Sequence, residues 1–142
     1  MRIYIDTEFN EFKGELISMA LVGEDGNEFY EVLHCTNPGN WVAEHVMPFL
    51  EKEPVELDVF QTKLQQFLFQ YHSIHLIADW PEDIKHFCSV LITGPGMCLN
   101  YPLLTMEMRR DLSSEDSKVP HNALHDARAI ADQDLSDNFG IG

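Results

Sequence analysis

The first nine residues contain the feature that most constrains this chain: a strand-like run that ends in two carboxylates. The run Arg2–Phe9 is typical of a β-strand, with Asp6 and Glu8 two positions apart near its end. Because successive side chains on a strand point to opposite faces, these carboxylates should project from the same face. Like charges at that spacing repel each other unless a cation neutralises them. The motif therefore indicates either a divalent-metal site or a solvated acidic pair on an edge strand.

Size and composition fit one compact domain over residues 1–142. The chain is 44% hydrophobic and 23% charged, which allows a core without disulfides or a structural metal. It has no apolar run near the roughly 20 residues of a membrane helix, and no basic-then-apolar leader. Cys35, Cys88 and Cys98 are odd in number and lack C-x-x-C spacing, so we expect buried thiols in a reducing compartment. A soluble, cytoplasmic protein is expected.

The net charge of −15, with only nine Lys and Arg, restricts the partners of this chain. A protein that grips long nucleic acid usually presents a basic face, so the charge argues against a wide nucleic-acid footprint. Part of the acidity disappears if clustered acids bind divalent ions. An acidic enzyme with few, metal-mediated contacts would favour chain ends or short oligonucleotides.

The first half of the chain predicts three antiparallel strands followed by two helices. Strand-like runs at 15–23 and 28–34 are separated by Asp25-Gly26-Asn27, a strong hairpin-turn signal. Apolar spacing predicts a helix over 41–50 that Pro48 ends or kinks, and an amphipathic helix over 56–72.

The second half alternates strands and helices. A short strand at 73–78 leads into Asp79, and Pro81 opens a helix. After a turn at 93–96, a strand is expected within 98–106, then a polar loop at 111–120 and a last helix from 121 to about 135. This order predicts an α/β domain with a mixed sheet and helices on both faces.

Two further acids lie where a partner is needed. Asp126 falls on the apolar stripe of the last helix, where it either reaches solvent from the margin of the stripe or faces the protein body and needs a cation as partner. Asp79 ends an apolar strand, where functional groups of α/β sheets often converge. Asp83, one turn into the next helix, competes with Asp79 for the same role, although the helix dipole alone would favour an acid there.

These motifs together resemble the DEDDh 3′-to-5′ exonucleases, a superfamily with an RNase H-like fold. The resemblance rests on Asp6-Thr7-Glu8, on Asp79 after an apolar strand, and on the His-x4-Asp motif in His121-Asn122-Ala123-Leu124-His125-Asp126. Small size and the segments Asp-Thr-Glu-Phe and Ala-Asp-Trp are most similar to the small bacterial and phage exoribonuclease group first described from mycobacteria. The chain departs from the wider pattern at Phe9-Asn10, and His75-Leu76 matches only half of the usual His-Asn.

The resemblance implies a set of site residues. Asp6, Glu8, Asp79 and Asp126 would hold two magnesium or manganese ions, which suit hard oxygen ligands and phosphoryl transfer. His121 would be the general base, because imidazole titrates near neutral pH. Five positions separate His121 from Asp126, about 500° of helical rotation, so both face one site only if His121 lies at or before the helix start.

Four residues near these motifs are candidates for contact with a nucleic-acid strand. Thr7 and Phe9 lie beside the acids, and Phe9 either stacks on a terminal base or packs inward. Arg109 and Arg110 precede His121 and either hold phosphates or are solvated charges.

The expected activity is metal-dependent removal of nucleoside 5′-monophosphates from the 3′ end of single-stranded RNA, with DNA as a possible second substrate. Two other functions stay open: an acidic binding or regulatory module on the same fold, and a phosphodiesterase of small nucleotides. His121 and His125 have the spacing of a zinc-binding helix, but the glutamate of H-E-x-x-H is Asn122 here. The resemblance also allows a homodimer.

Overall fold

The structure, a computed structural model, describes residues 1–139, with side chains described through residue 137. Within this range the elements follow in the order β1 (Arg2–Phe9), β2 (Leu16–Gly23), β3 (Glu28–Val32), α1 (Asn40–His45), a 3₁₀ turn (Met47–Phe49), α2 (Leu57–Leu68), β4 (Ser73–Ala78), α3 (Pro81–Leu91), β5 (Ile92–Gly94), β6 (Met97–Cys98), β7 (Leu103–Met108) and α4 (Ala123–Phe139).

Five of these strands form one mixed sheet in the order β3-β2-β1-β4-β7. β1 pairs antiparallel with β2 and parallel with β4, and β4 pairs parallel with β7. The hairpin between β2 and β3 closes where predicted, with Gly26 at a φ of 87° and a bond from Gly23 N–H to the Asn27 carbonyl of 2.8 Å. The predicted mixed-sheet α/β class is confirmed, and it is consistent with the RNase H-like fold.

Helices cover both faces of the sheet because β1 is apolar on both sides. Ile3 and Ile5 pack into a core with Phe60 of α2 and Phe87 of α3. Tyr4 faces the other way, into a second core that α4 completes with the residues Ala123, Ala127, Ile130 and Ala131. Small alanines on this stripe let α4 lie close to the sheet. The predicted helices on both faces are therefore present.

Several elements differ from the predicted ones in their bounds. The helix expected over 41–50 is split into α1 and a 3₁₀ turn, because Pro48 has no N–H to continue the α-helical ladder. α2 ends at Leu68, and α4 continues to Phe139. β7 begins directly after Pro102, and the short β5–β6 hairpin occupies the segment expected to be only a turn.

The cysteines are more exposed than the sequence predicts. Cys98 is exposed and Cys35 and Cys88 are partly exposed, so the prediction of buried thiols is wrong; all three are free thiols. Among the described residues, none of the helices has the length and hydrophobicity needed to cross a bilayer.

Candidate metal centre

Acidic side chains from three parts of the chain converge at the carboxyl end of β1. Because β4 runs parallel to β1, the two strands end at the same edge of the sheet. Two groups form there among the described residues, and within each group one oxygen per residue lies within 4.8 Å of the others. The first group contains Asp6, Glu8 and Asp126, and the second contains Asp6, Asp79 and Asp83. Asp6 belongs to both.

The first group is assembled across the α4 side of the sheet. Asp6 and Glu8 share the face of Tyr4, as strand alternation predicts. Asp126 lies in the first turn of α4, where the helix dipole favours a carboxylate, and its side chain is buried. One oxygen of Asp6 and one of Asp126 are buried without a hydrogen-bond partner in the described structure.

The second group is assembled by β4 and α3. Asp79 follows β4 directly and is partly exposed, whereas Asp83 in the first turn of α3 is only 2% exposed. Thr7 fixes Asp83: its backbone N–H and its hydroxyl donate to one Asp83 oxygen at 3.1 and 2.6 Å. The other Asp83 oxygen has no partner in the described structure. The structure thus brings both competing acids to Asp6, and it engages the predicted substrate contact Thr7 in holding one of them.

The electrostatics of these groups favour cations. Burial, reinforced by Asp83, Glu8 and Asp126, raises the pKa of Asp6 well above its ordinary value. Burial raises the pKa of Glu8 to about 9, and repulsion from Asp126 and Asp83 adds to it. The pKa of Asp83 is raised to about 8, again mainly by burial. Carboxylates that share a buried site keep their charge only when a positive group neutralises them.

The donor set therefore fits divalent cations. It consists of carboxylate oxygens only, several of them buried and without a partner, and hard oxygen ligands suit magnesium and manganese. Within the described residues the two groups contain no histidine or cysteine, which argues against the zinc alternative. His125, the second histidine of that alternative, instead places its Nε2 2.9 Å from Glu51 Oε1.

His121 lies two residues before α4, in the position that the spacing argument required. Its φ of 69° is in the left-handed region, which turns the chain into the helix. Its imidazole lies nearly perpendicular to the Trp41 ring at a centroid distance of 5.1 Å, and Trp41 in turn stacks on His45 at 4.5 Å. Burial raises the pKa of Asp126, and the His121 charge and a hydrogen bond from the His121 backbone act in the opposite direction. His121 and Asp126 are therefore neighbours at the start of α4.

The two arginines predicted to contact a nucleic-acid strand, Arg109 and Arg110, lie in different surroundings. Arg109 is occupied: its guanidinium bonds Asp111 at 2.7 and 2.9 Å and Asp134 at 3.3 Å. Arg110 is exposed and lies over the ring of Trp80 at 5.1 Å. Burial raises the pKa of Asp79, and the Arg110 charge acts in the opposite direction.

Aromatic side chains around the acids were not all foreseen. The Phe9 side chain is partly exposed, and its ring lies against His86 at a centroid distance of 5.0 Å. Sequence reasoning missed Trp41, which contacts His121 although 80 positions separate the two residues in the chain. Its signal was a large aromatic at the exposed start of a helix, which gives no information about distant partners.

The sheet order, the helices on both faces and the acids at the end of the first strand define an RNase H-like domain with a candidate metal centre. No family model matches the chain. Two curated proteins do: 3′-5′ exoribonuclease Rv2179c of Mycobacterium tuberculosis strain H37Rv and 3′-5′ exoribonuclease MT2234.1 of strain CDC 1551. Each is 35% identical over 150 residues, which span 90% of this chain and 88% of the relative. The chain belongs to this mycobacterial 3′-5′ exoribonuclease family.

Proposed function

We propose that the protein is a metal-dependent 3′-to-5′ exonuclease of single-stranded RNA that releases nucleoside 5′-monophosphates. The observation that carries the proposal is the pair of carboxylate groups that share Asp6, with buried oxygens that lack a partner. Such a pair suits two cations side by side, and membership of the exoribonuclease family supplies the substrate class. Cytoplasmic location and action on DNA remain predictions.

The two cations would share Asp6, and each would have two further ligands of its own. Glu8 and Asp126 would hold one ion with Asp6, and Asp79 and Asp83 would hold the other with the same Asp6. When bound, magnesium or manganese supplies positive charge for the oxygens of the reacting phosphate. The protein contributes the spacing: a rigid central strand presents Asp6 and Glu8, and two helix starts present Asp83 and Asp126.

His121 is proposed as the general base. Its exposed ring precedes α4, whose first turn carries Asp126, and an imidazole can accept a proton from a water while the carboxylates are occupied by cations. Trp41 limits the directions in which the ring can turn, because it contacts the ring edge-on.

This acidic protein has few Lys and Arg side chains that could contact the phosphates of an RNA strand. Arg110 over the exposed Trp80 ring offers a charge for a phosphate and an aromatic surface for a base, next to Asp79. We therefore keep Arg110 as a substrate contact. Arg109 is already neutralised by Asp111 and Asp134, and we assign it to holding β7 against α4.

A homodimer is also proposed. β7 is an edge strand of the main sheet and exposes Leu103, Met106 and Met108. Apolar edge strands pair readily with another chain unless they are covered. Light scattering after gel filtration would report twice the monomer mass of 16.3 kDa.

A time course on 5′-labelled single-stranded RNA of about 12 nucleotides, with manganese or magnesium, tests the function. We expect a ladder that shortens one nucleotide at a time, because hydrolysis starts at the 3′ end, and no product in EDTA. A 3′-phosphorylated RNA is the matched control and should resist digestion. Immediate release of a labelled mononucleotide would indicate the opposite direction. Hydrolysis of dinucleotides alone would favour a small-nucleotide phosphodiesterase.

Asp83→Asn is expected to lower kcat by roughly 100-fold, and Asp79→Asn by roughly tenfold or less. The reason is that Asp83 is buried and fixed by two Thr7 donors, whereas Asp79 is partly exposed. Steady-state kinetics at saturating manganese measures both. Glu82→Gln is the control, since Glu82 lies in the same helical turn but outside both carboxylate groups. A larger loss for Asp79→Asn would exchange the two assignments.

A further inference from the structure

Asn122 lies between the proposed base His121 and the first residue of α4, and its side chain is bonded at both ends. It is 1% exposed. Its Oδ1 accepts the backbone N–H of His125 at 3.1 Å. Its Nδ2 donates to the carbonyls of Phe49 at 2.8 Å and Leu50 at 3.3 Å. One amide group therefore joins the start of α4 to the 3₁₀ turn that follows α1.

The two ends of this amide have different tasks. The Oδ1 contact is an N-cap: it satisfies a backbone donor of the first helical turn, which any short oxygen-bearing side chain such as serine can also do. The Nδ2 contacts need a donor that reaches carbonyls more than 70 positions earlier in the chain. A serine at this position would keep the cap and lose the link.

The segment that Asn122 Nδ2 bonds also contains Trp41, the aromatic neighbour of His121. Trp41 and His45 belong to α1, which leads directly into the 3₁₀ turn held by Asn122. The same Trp41 meets the His121 ring at 5.1 Å. The link therefore fixes the distance between the backbone that carries His121 and the helix that carries the ring beside it.

The backbone at His121 needs such support. His121 has a φ of 69°, a left-handed conformation that is unfavourable for a non-glycine residue and persists only where the surroundings impose it. On one side the Asn122 N–H closes a turn to the Val119 carbonyl at 3.1 Å, and on the other the Asp126 N–H bonds the Asn122 carbonyl at 2.9 Å. Asn122 thus takes part in both of these backbone bonds beside His121.

We propose that Asn122 is a positioning residue for His121, acting through its Nδ2 bonds to the Phe49 and Leu50 carbonyls. The proposal rests on the proposed role of His121 as general base. A misplacement of about 1 Å of a catalytic group can cost about 100-fold in rate, so loss of this link is expected to affect turnover rather than substrate binding. The acid groups do not include Asn122, so binding of the cations should be retained.

Two variants separate the cap from the link. Asn122→Ser keeps an oxygen for the His125 N–H and removes the donors to the Phe49 and Leu50 carbonyls, whereas Asn122→Ala removes both. Asn27→Ala, which removes side-chain bonds of the distant β2–β3 turn, is the matched control. Three properties are measured for each variant: kcat and KM on short RNA, the thermal midpoint, and nuclear Overhauser contacts between the Trp41 and His121 rings.

For Asn122→Ser we expect a fall in kcat of roughly 30-fold with KM within twofold, and weakened Trp41–His121 contacts in the metal-free protein. Asn122→Ala should match this loss and also melt at a lower temperature, because it lacks the cap. A serine variant with parental kcat, or with reduced kcat and unchanged ring contacts, would overturn the positioning role. His121→Ala separates failure of the general-base proposal from failure of the positioning proposal. Full activity in His121→Ala would refute the role of His121 as general base. The ring contacts in Asn122→Ser would still report whether the Asn122 link positions the His121 ring.

Discussion

Replacement of Asp6 by asparagine is expected to lower RNA hydrolysis by at least about 1,000-fold without destabilising the metal-free protein. Asp6 is the one residue common to both carboxylate groups, so its loss weakens both cation sites together. Stabilisation of reacting oxygens by metal ions is worth several kcal/mol, and each 1.36 kcal/mol corresponds to tenfold in rate. The substitution also removes one charge from a cluster of like charges.

The expected stability of the Asp6→Asn variant follows from the charges around position 6. Asp6 lies among Asp83, Glu8 and Asp126, and burial raises its pKa well above its ordinary value. Asparagine has nearly the same shape, carries no charge, and offers N–H donors to the neighbouring carboxylates. The free energy of unfolding in EDTA should therefore stay equal or increase.

Single-turnover hydrolysis and urea unfolding in EDTA measure the two halves of the Asp6 prediction. Asp58→Asn, on the exposed start of α2, removes one charge from the same acidic protein outside the two groups and should change neither property. Residual activity within tenfold of the parent would refute the shared-ligand role. A loss of more than about 1 kcal/mol of stability would show that the Asp6 charge has a stabilising partner.

The second large effect concerns pH. In EDTA, the protein is expected to become more stable as the pH falls from about 9 toward about 5. Glu8 has a pKa of about 9 and Asp83 about 8 in the folded protein, against ordinary values of 4.5 and 3.8. Between these limits the folded state binds protons that the unfolded state does not, so a fall in pH favours folding. Carboxylates paired with cations in the folded state behave differently, since their contribution is constant over this range and is lost only below about pH 5.

Divalent ions should reverse that slope. At pH 8, an ion concentration about 100 times its dissociation constant adds roughly 2.7 kcal/mol to the free energy of unfolding. For a domain of this size that corresponds to a rise of roughly 10 °C in thermal midpoint. Calorimetric scans with manganese, and with potassium chloride at matched ionic strength, measure it.

The Asp6→Asn variant serves as the control in these scans and should respond only weakly to manganese. A metal-free protein that loses stability between pH 9 and pH 6 would contradict the raised pKa values of Glu8 and Asp83. An equal response to potassium chloride would show general screening of the acidic surface rather than a site.

Features of the fold that depend on local pattern could be predicted from the sequence. The alternation of β1 places Asp6 and Glu8 on one face, and the spacing from His121 to Asp126 requires His121 to precede α4, as it does. Hairpin chemistry at Gly26 predicts the antiparallel strands. In each case one short segment contains the physical cause.

Features that depend on distant partners could not be predicted. Asp79 and Asp83 are both suitable ligands by sequence, and only the position of α3 against β1 shows that Thr7 holds Asp83 while both acids reach Asp6. Arg109 and Arg110 are neighbours in sequence, but Asp134 in α4 occupies the former and Trp80 underlies the latter. Neither difference has a local signal.

The place of β1 in the centre of the sheet has a consequence for the life of the protein in a cell. β1 is bonded on both edges, to β2 and β4, and it carries the acid common to both carboxylate groups. Repulsion among these acids therefore acts on the most cooperative part of the fold rather than on a loop that opens by itself. When divalent ions are scarce, we expect the whole domain to unfold more often and become a substrate for proteases. Metal supply would then set the abundance of the protein as well as its activity.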